Sequence, residues 1–147
     1  MKAICQKLDK NRIDDLLVLS KADGFPCELS EALASLYCGD RAPKAAGAQT
    51  YGAFAGDRLV SVMTATFCHV FPCDDSPSGR IVQISGAYTH PAYRHKGCAL
   101  DLLTLIEEDA KVFGADYLCC DSIADGLYLR FGFKPTDDCE TRMWKTL

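Results

Sequence analysis

The sequence contains nine cysteines but no Cys-x-x-Cys pair, so the common zinc-ribbon and thioredoxin spacings are missing. Its closest cysteines, Cys119–Cys120 and Cys68–Cys73, match neither pattern. Nine is odd, which excludes complete internal pairing. No apolar run approaches a membrane span. Met1 to Lys10 alternates charged and apolar residues and lacks the apolar stretch of a signal peptide. These absences predict a cytoplasmic protein with reduced thiols, several of them acting as small buried hydrophobes. There is no long basic block, and 16 Lys+Arg against 20 Asp+Glu leave a net charge of −4. Such a chain is a poor nonspecific binder of nucleic acid or anionic membrane. It also lacks internal repeats and low-complexity tracts.

What is present is an ordinary globular composition. Hydrophobic residues make up 48% and charged residues 24% of 147, which predicts one domain spanning 1–147 with a sizeable core. Ala3 to Leu8 reads as a first strand. Asp9 reads as an N-cap before Ile13, Leu16 and Leu17, which recur at helical spacing. Gly24 and Pro26 break that helix. Leu29, Leu33, Leu36 and Tyr37 form a second apolar stripe, closed by Gly39.

A β-rich block follows. Gln49 to Ala55 and Arg58 to Phe71 flank Gly56-Asp57, a type II′ hairpin signal. Pro72 to Gly79 reads as a loop and Arg80 to Thr89 as a strand. Gly86 inside that strand predicts a bulge or a close backbone approach. Gly97 to Phe113 has the strongest helical pattern, with Ala99, Leu103, Ile106, Ala110 and Phe113 on one face. Asp116 to Asp121 reads as a strand, Ser122 to Phe131 as a short helix, and Lys134 with Glu140 to Thr146 as a final hairpin. The expected order is β-α-α-β-β-β-α-β-α-β-β, an α/β (α+β) chain. It predicts a mixed sheet of six to seven strands with helices on both faces.

The segment Tyr88-Thr-His-Pro-Ala-Tyr-Arg-His-Lys-Gly-Cys-Ala99 runs from a strand end through a short loop into a helix. Helix N-termini present unpaired N–H groups and the positive end of the dipole, so they suit anions. Gly97 removes a Cβ from the approach, and Arg94 and Lys96 add local positive charge. The plainer reading is a βα loop with solvated basic residues. There is no Gly-Lys-Ser/Thr of a P-loop and only one glycine, too few for a dinucleotide fingerprint.

At these residues the chain resembles the GNAT acetyltransferase superfamily. Arg94-His-Lys-Gly97-Cys-Ala99 resembles its Arg/Gln-x-x-Gly-x-Gly/Ala signature, and Thr89-His-Pro-Ala-Tyr-Arg94 the run that often precedes it. Some 30 residues on, Leu127-Tyr128-Leu-Arg-Phe-Gly132-Phe133 resembles the family's Leu-Tyr-x-x-x-Gly-Phe. The resemblance implies an acyl-CoA N-acyltransferase-like, centrally splayed sheet. It implies acetyl-coenzyme A as acyl donor, with no metal, and a primary amine of a small molecule or peptide as acceptor. The pyrophosphate would sit on Arg94, His95, Lys96, Gly97, Cys98 and Ala99. The pantetheine would run along Ala87, Tyr88 and Thr89, where an amide would polarise the thioester carbonyl. Tyr128 matches the general acid that protonates the departing thiolate, and Ser122 falls where some members contact the cofactor. Many relatives pair through the sheet edge, so a homodimer is one implied assembly. The acceptor would be bound by the two N-terminal helices, the loop between them and the C-terminal hairpin. The acidic balance leans toward a cationic acceptor.

Gln83 stands where one branch of the family has a glutamate base, and an amide cannot take a proton. The base is then a water chain, or Asp121, His69 or His90. The same gap motivates a competing reading, a non-catalytic coenzyme A or acyl-CoA sensor or interaction domain. Two cysteine-based readings compete with these. A Cys68/His69/Cys73 metal site has only Asp74 or Asp75 to complete it, and an acyl-cysteine at Cys98, Cys119 or Cys120 has little to activate it.

Overall fold

A computed structural model describes residues 2–121, 126–136 and 139–147. Seven strands form one sheet: β1 (Ile4–Lys7), β2 (Gly47–Ala55), β3 (Arg58–His69), β4 (Arg80–Thr89), β5 (Tyr117–Asp121), β6 (Lys134–Thr136) and β7 (Cys139–Thr146). Their spatial order is β1-β2-β3-β4-β5-β7-β6. Neighbours pair antiparallel except β4 and β5, which are parallel. The helices are α1 (Ile13–Leu19), α2 (Glu31–Tyr37), α3 (Cys98–Phe113) and α4 (Gly126–Phe131). A parallel pair needs a crossover, and α3 supplies it. The element order is the one expected from the sequence.

Each face of the sheet buries its own cluster. On one face α3 contributes Leu102, Leu103, Ile106, Ala110 and Phe113 against Val82, Ile84, Leu118 and Met143 of the strands. On the other, Leu16 and Leu19 of α1 and Ala34 of α2 meet Phe54, Leu59, Val62 and Tyr88. The α3 face also holds a polar clasp. The Tyr51 hydroxyl donates to Asp109 at 2.7 Å. The Arg41 guanidinium lies 3.4 Å from the centre of the Phe67 ring and donates to the carbonyls of Ala42, Pro43 and Ala45. The connection from α2 to β2 is thereby pinned to the core by one arginine.

The second helix departs from its expected stripe. Ser30 caps it by accepting from the Leu33 N–H, and its buried residue is Ala34, while Leu36 is 70% exposed. A small side chain at 34 lets the short helix sit close to the sheet, which leaves Leu33 and Tyr37 on its flank. Gly39 does not close the helix in a left-handed turn; its N–H instead donates to the Leu8 carbonyl. β3 also ends at His69, two residues short of the expected Phe71, because the Val70 N–H turns to the Gly79 carbonyl and closes the loop. The β2–β3 turn follows expectation, with Gly56 at φ +62° and Asp57 outside the positive-φ region.

Two irregularities in β4 prepare the site. Its parallel pairing with β5 covers only Val82, Gln83 and Ile84, so Ser85–Thr89 runs on with no β5 partner. On its other side, Thr64 faces Ser85 but Val62 faces Tyr88. β4 therefore carries one residue more than β3, and Gly86 absorbs it at φ +61°. The sheet splays at its centre, at the glycine that interrupted the strand pattern.

Candidate functional site

The splay opens a cleft of about 550 Å³, within the size range of small-molecule sites. One wall is the free edge of β4: Ala87, Tyr88 and Thr89. The floor is the loop through Tyr93, Arg94, His95 and Gly97 and the first turn of α3, Cys98 to Leu100. Leu127 and Arg130 of α4 form the far wall, and Gly24 and Pro26 of the α1–α2 connection form the rim.

Local bonds shape the loop. His90 follows β4 and accepts the Ala92 N–H on Nδ1 at 3.1 Å, starting a 3₁₀ turn at Pro91–Tyr93. Its Nε2 lies 3.2 Å from the Arg58 guanidinium. Arg94 turns back so that its Nε donates to the Thr89 carbonyl at 3.0 Å, and its guanidinium lies 5.9 Å from the centre of the Tyr88 ring. His95 sits at φ +62° and Gly97 at φ +84°. A left-handed histidine is strained by about 1 kcal/mol or more, and such residues are how loops curl amides around an anion. The first backbone bond of α3 runs from the Asp101 N–H to the Gly97 carbonyl at 3.0 Å. The amides of Cys98, Ala99 and Leu100 precede it and have no acceptor within the helix. A Cβ on Gly97 would meet no protein atom within 4 Å; the space above it belongs to the cleft.

Of the residues singled out from the sequence, Ala87, Tyr88, Thr89, Arg94, His95, Gly97, Cys98 and Ala99 converge on this cleft. Lys96 does not line it, and its ammonium lies 5.4 Å from the centre of the Tyr93 ring. Tyr128 is buried in the main core, edge-on to Phe133 at 5.4 Å. The α4 residues that reach the cleft flank it, at 127 and 130. Ser122 lies outside the described residues. The sequence reading gave no site role to Gly24, Pro26, Tyr93, Leu100, Leu127 and Arg130. Arg130 follows Leu127 by three residues, the one-turn spacing that shares a helix face, so that residue was within reach.

The candidate bases scatter. His69 pairs with Arg80 at one end of the β3–β4 ladder, whereas Ser61 pairs with Thr89 at the other; the fold carries His69 away from the cleft. Asp121 is held by the Arg142 Nε at 3.2 Å, and Gln83 is exposed on the open sheet face between Thr66 and Cys119. Both belong to a separate cleft. The thiols are poor nucleophiles. Burial, then the Asp101 charge, push Cys98 up, and burial pushes Cys119 up to about 11. Among the described residues no cluster of His, Cys, Asp and Glu could hold a metal, and no helix is long and apolar enough to cross a membrane.

The splayed parallel pair and the glycine-started helix at the end of its connecting loop thus share one cleft. The sequence of residues 13–133 matches the model of the Acetyltransferase (GNAT) family, and the chain belongs to that family. No curated protein matches it significantly. Solved structures match over nearly the whole length. One is a predicted acetyltransferase with acetyl-CoA from Clostridium acetobutylicum, 18% identical, covering 93% of both chains at a TM-score of 0.71. Another is AAC(6')-Iy in complex with a bisubstrate analog, CoA-S-monomethyl-acetylneamine, 16% identical, covering 95% of both chains at 0.75. A third is NAA60 from Arabidopsis thaliana with acetyl-CoA, 13% identical, covering 99% of both chains at 0.74. At these identities the likeness establishes the shared fold.

Proposed function

We propose that this chain, as a single domain, transfers an acetyl group from acetyl-coenzyme A to a primary amine in a ternary complex. The observation that carries the reading is the meeting, in one cleft, of the unpaired β4 edge with the left-handed loop and free amides that open α3. The amides of 95–99 take the pyrophosphate, with Arg94 and Lys96 adding charge. The pantetheine lies along Ala87–Thr89 as an added strand, and an amide at Ala87 or Tyr88 polarises the thioester carbonyl.

The amine nitrogen attacks the thioester carbon and the C–S bond breaks. Tyr128 gives its proton to the departing thiolate, a role supported by the motif Leu127-Tyr128-Leu-Arg-Phe-Gly132-Phe133 in which it stands. The ammonium loses its proton through water, since no carboxylate is among the described residues that line the cleft. The rate therefore rises with pH until the amine is neutral.

Thiol release from acetyl-coenzyme A against a panel of amines tests the reading. Gly97→Trp should abolish donor binding, and Tyr128→Phe should lower kcat by about 10²-fold or more. Normal turnover in both variants would sink the assignment. The Gln83 side chain, which cannot act as a base, favours one other reading, a coenzyme A-binding module without turnover. Tight binding by calorimetry with no transfer to any amine would establish that one instead.

A further inference from the structure

A second pocket, of about 220 Å³, adjoins the cleft on the α1–α2 side of the sheet. The two meet at the β4 bulge: Gly86 lines one and Ala87 the other, and Pro26 lines both. The floor of this pocket is a row of hydroxyls running across three strands. Thr50 of β2 stands opposite Thr64 of β3, and Thr64 stands opposite Ser85 of β4. The Thr50 and Thr64 hydroxyls share a 2.9 Å hydrogen bond, and the row ends beside Gly86. The roof is apolar, made by Leu16, Phe25, Pro26, Leu29, Leu33 and the Tyr37 ring. None of the described residues that line it carries a charge.

We infer that this pocket takes the acceptor, and that the acceptor is a primary monoamine with a single apolar body. The inference rests on the acetyl-transfer reading and adds the substrate class. A hydroxyl row can hold one amine nitrogen next to the bulge, where the thioester carbonyl is drawn. The roof then covers a hydrocarbon. An apolar cavity of about 150 Å³ holds benzene, so this one has room for a ring and a short alkyl chain. A second ammonium would be stripped of water with no carboxylate among the described lining residues to meet it. Polyamines and aminoglycosides are thereby disfavoured. The described lining contributes nothing to the chain's acidic excess, so any pull of net charge on a cationic acceptor acts on its single ammonium and not on its body.

The test compares phenethylamine, n-hexylamine and spermidine, by calorimetry on the coenzyme A-loaded protein and by turnover with acetyl-coenzyme A. Phenethylamine and hexylamine should bind and turn over with kcat/KM at least tenfold above spermidine. Leu33→Asp, on the helix flank, should cut phenethylamine kcat/KM at least tenfold and leave acetyl-coenzyme A affinity unchanged. Thr64→Val should raise the phenethylamine KM. Spermidine bound or acetylated as well as the apolar amines would overturn the substrate class while leaving acetyl transfer standing. Phenethylamine bound without transfer to any amine would overturn the transferase reading, and the acceptor assignment with it. Faster turnover of octanoyl- than acetyl-coenzyme A, lost in Leu33→Asp, would give the pocket to the acyl chain and overturn the inference.

Discussion

The Tyr88 hydroxyl donates a 2.7 Å hydrogen bond to the Asp23 carbonyl, tying the free end of β4 to the connection between α1 and α2. Phe25 adds an edge-on ring contact to Tyr88 at 4.9 Å. One tyrosine thus fixes the spacing between the donor strand and the roof of the acceptor pocket. Tyr88→Phe keeps the ring contact and removes the bond. Because Asp23 is exposed, its carbonyl can rehydrate, and the stability loss should be near the low end of about 0.5–1.5 kcal/mol. The larger effect should fall on loop order. Limited proteolysis should cut within 20–30 faster in the variant, and the amine KM should rise more than kcat falls. Unchanged protease susceptibility would show that the bond fixes nothing.

Gly97 and Gly56 form a matched pair. Both have positive φ, +84° and +62°, and neither Cβ would meet protein. Alanine at either costs strain alone, about 1–2 kcal/mol. Only Gly97 faces the cleft. Gly97→Ala and Gly56→Ala should therefore lower Tm by similar amounts, while acetyl-coenzyme A affinity should fall at least tenfold in Gly97→Ala alone. Equal affinities by calorimetry would mean that the donor does not approach the loop closely.

The same glycines explain what the sequence makes legible. Gly56, Gly86 and Gly97 interrupt clear periodic patterns, so turn, bulge and helix start are all readable, and the loop before α3 with them. α2 is harder. Its leucines suggest a buried stripe, but the face that meets the sheet is set by how closely a short helix can approach, and Ala34 takes it. The hydroxyl row is harder still. Thr50, Thr64 and Ser85 are unremarkable one by one and become a surface only through the registers of β2, β3 and β4. Those registers depend on a bulge whose position along β4 is marked, but whose partner on β3 is not. Arg41 is similar: its loop carries no pattern, and its anchor, the Phe67 ring, lies far along the chain.

Cysteine chemistry offers a direct probe of the acceptor pocket. Burial pushes the thiols of Cys5, Cys38 and Cys119 up to about 11, so they are almost wholly protonated at neutral pH and slow to alkylate. Cys27 and Cys73 are exposed, and only Cys27 lines the pocket. N-ethylmaleimide near pH 7.5 should label these two ahead of the buried thiols, as read by peptide mass spectrometry. Amine turnover should fall with the labelling of Cys27. Cys73→Ser should be inactivated as fast as the parent, whereas Cys27→Ser should resist. Inactivation that persists in Cys27→Ser would place the sensitive thiol elsewhere.

Asp116 controls acid stability from the opposite end of β4. Its carboxylate accepts the Ser78 hydroxyl at 2.6 Å, the Ser76 hydroxyl at 2.8 Å and the Ser78 N–H at 3.1 Å. The Ser78 hydroxyl above all, then those other donors and the Arg80 charge, hold it below its ordinary value of 3.8, against the opposing effect of burial. A carboxylate whose folded-state pKa is depressed contributes stability that is fully present above the unfolded-state value. That contribution is lost as pH falls through the folded-state value. Asp116→Asn removes the charge at every pH. The stability gap between parent and variant, read by urea unfolding, should therefore be widest near neutrality and constant down to about pH 5. It should narrow as pH falls below 3.8 and on through the lower folded-state value, as the parent carboxylate protonates. A gap of the same size at neutral pH and at the acid end of the titration would mean that the serine bonds contribute nothing through ionisation. The lost stability would then come from the shape of the loop alone.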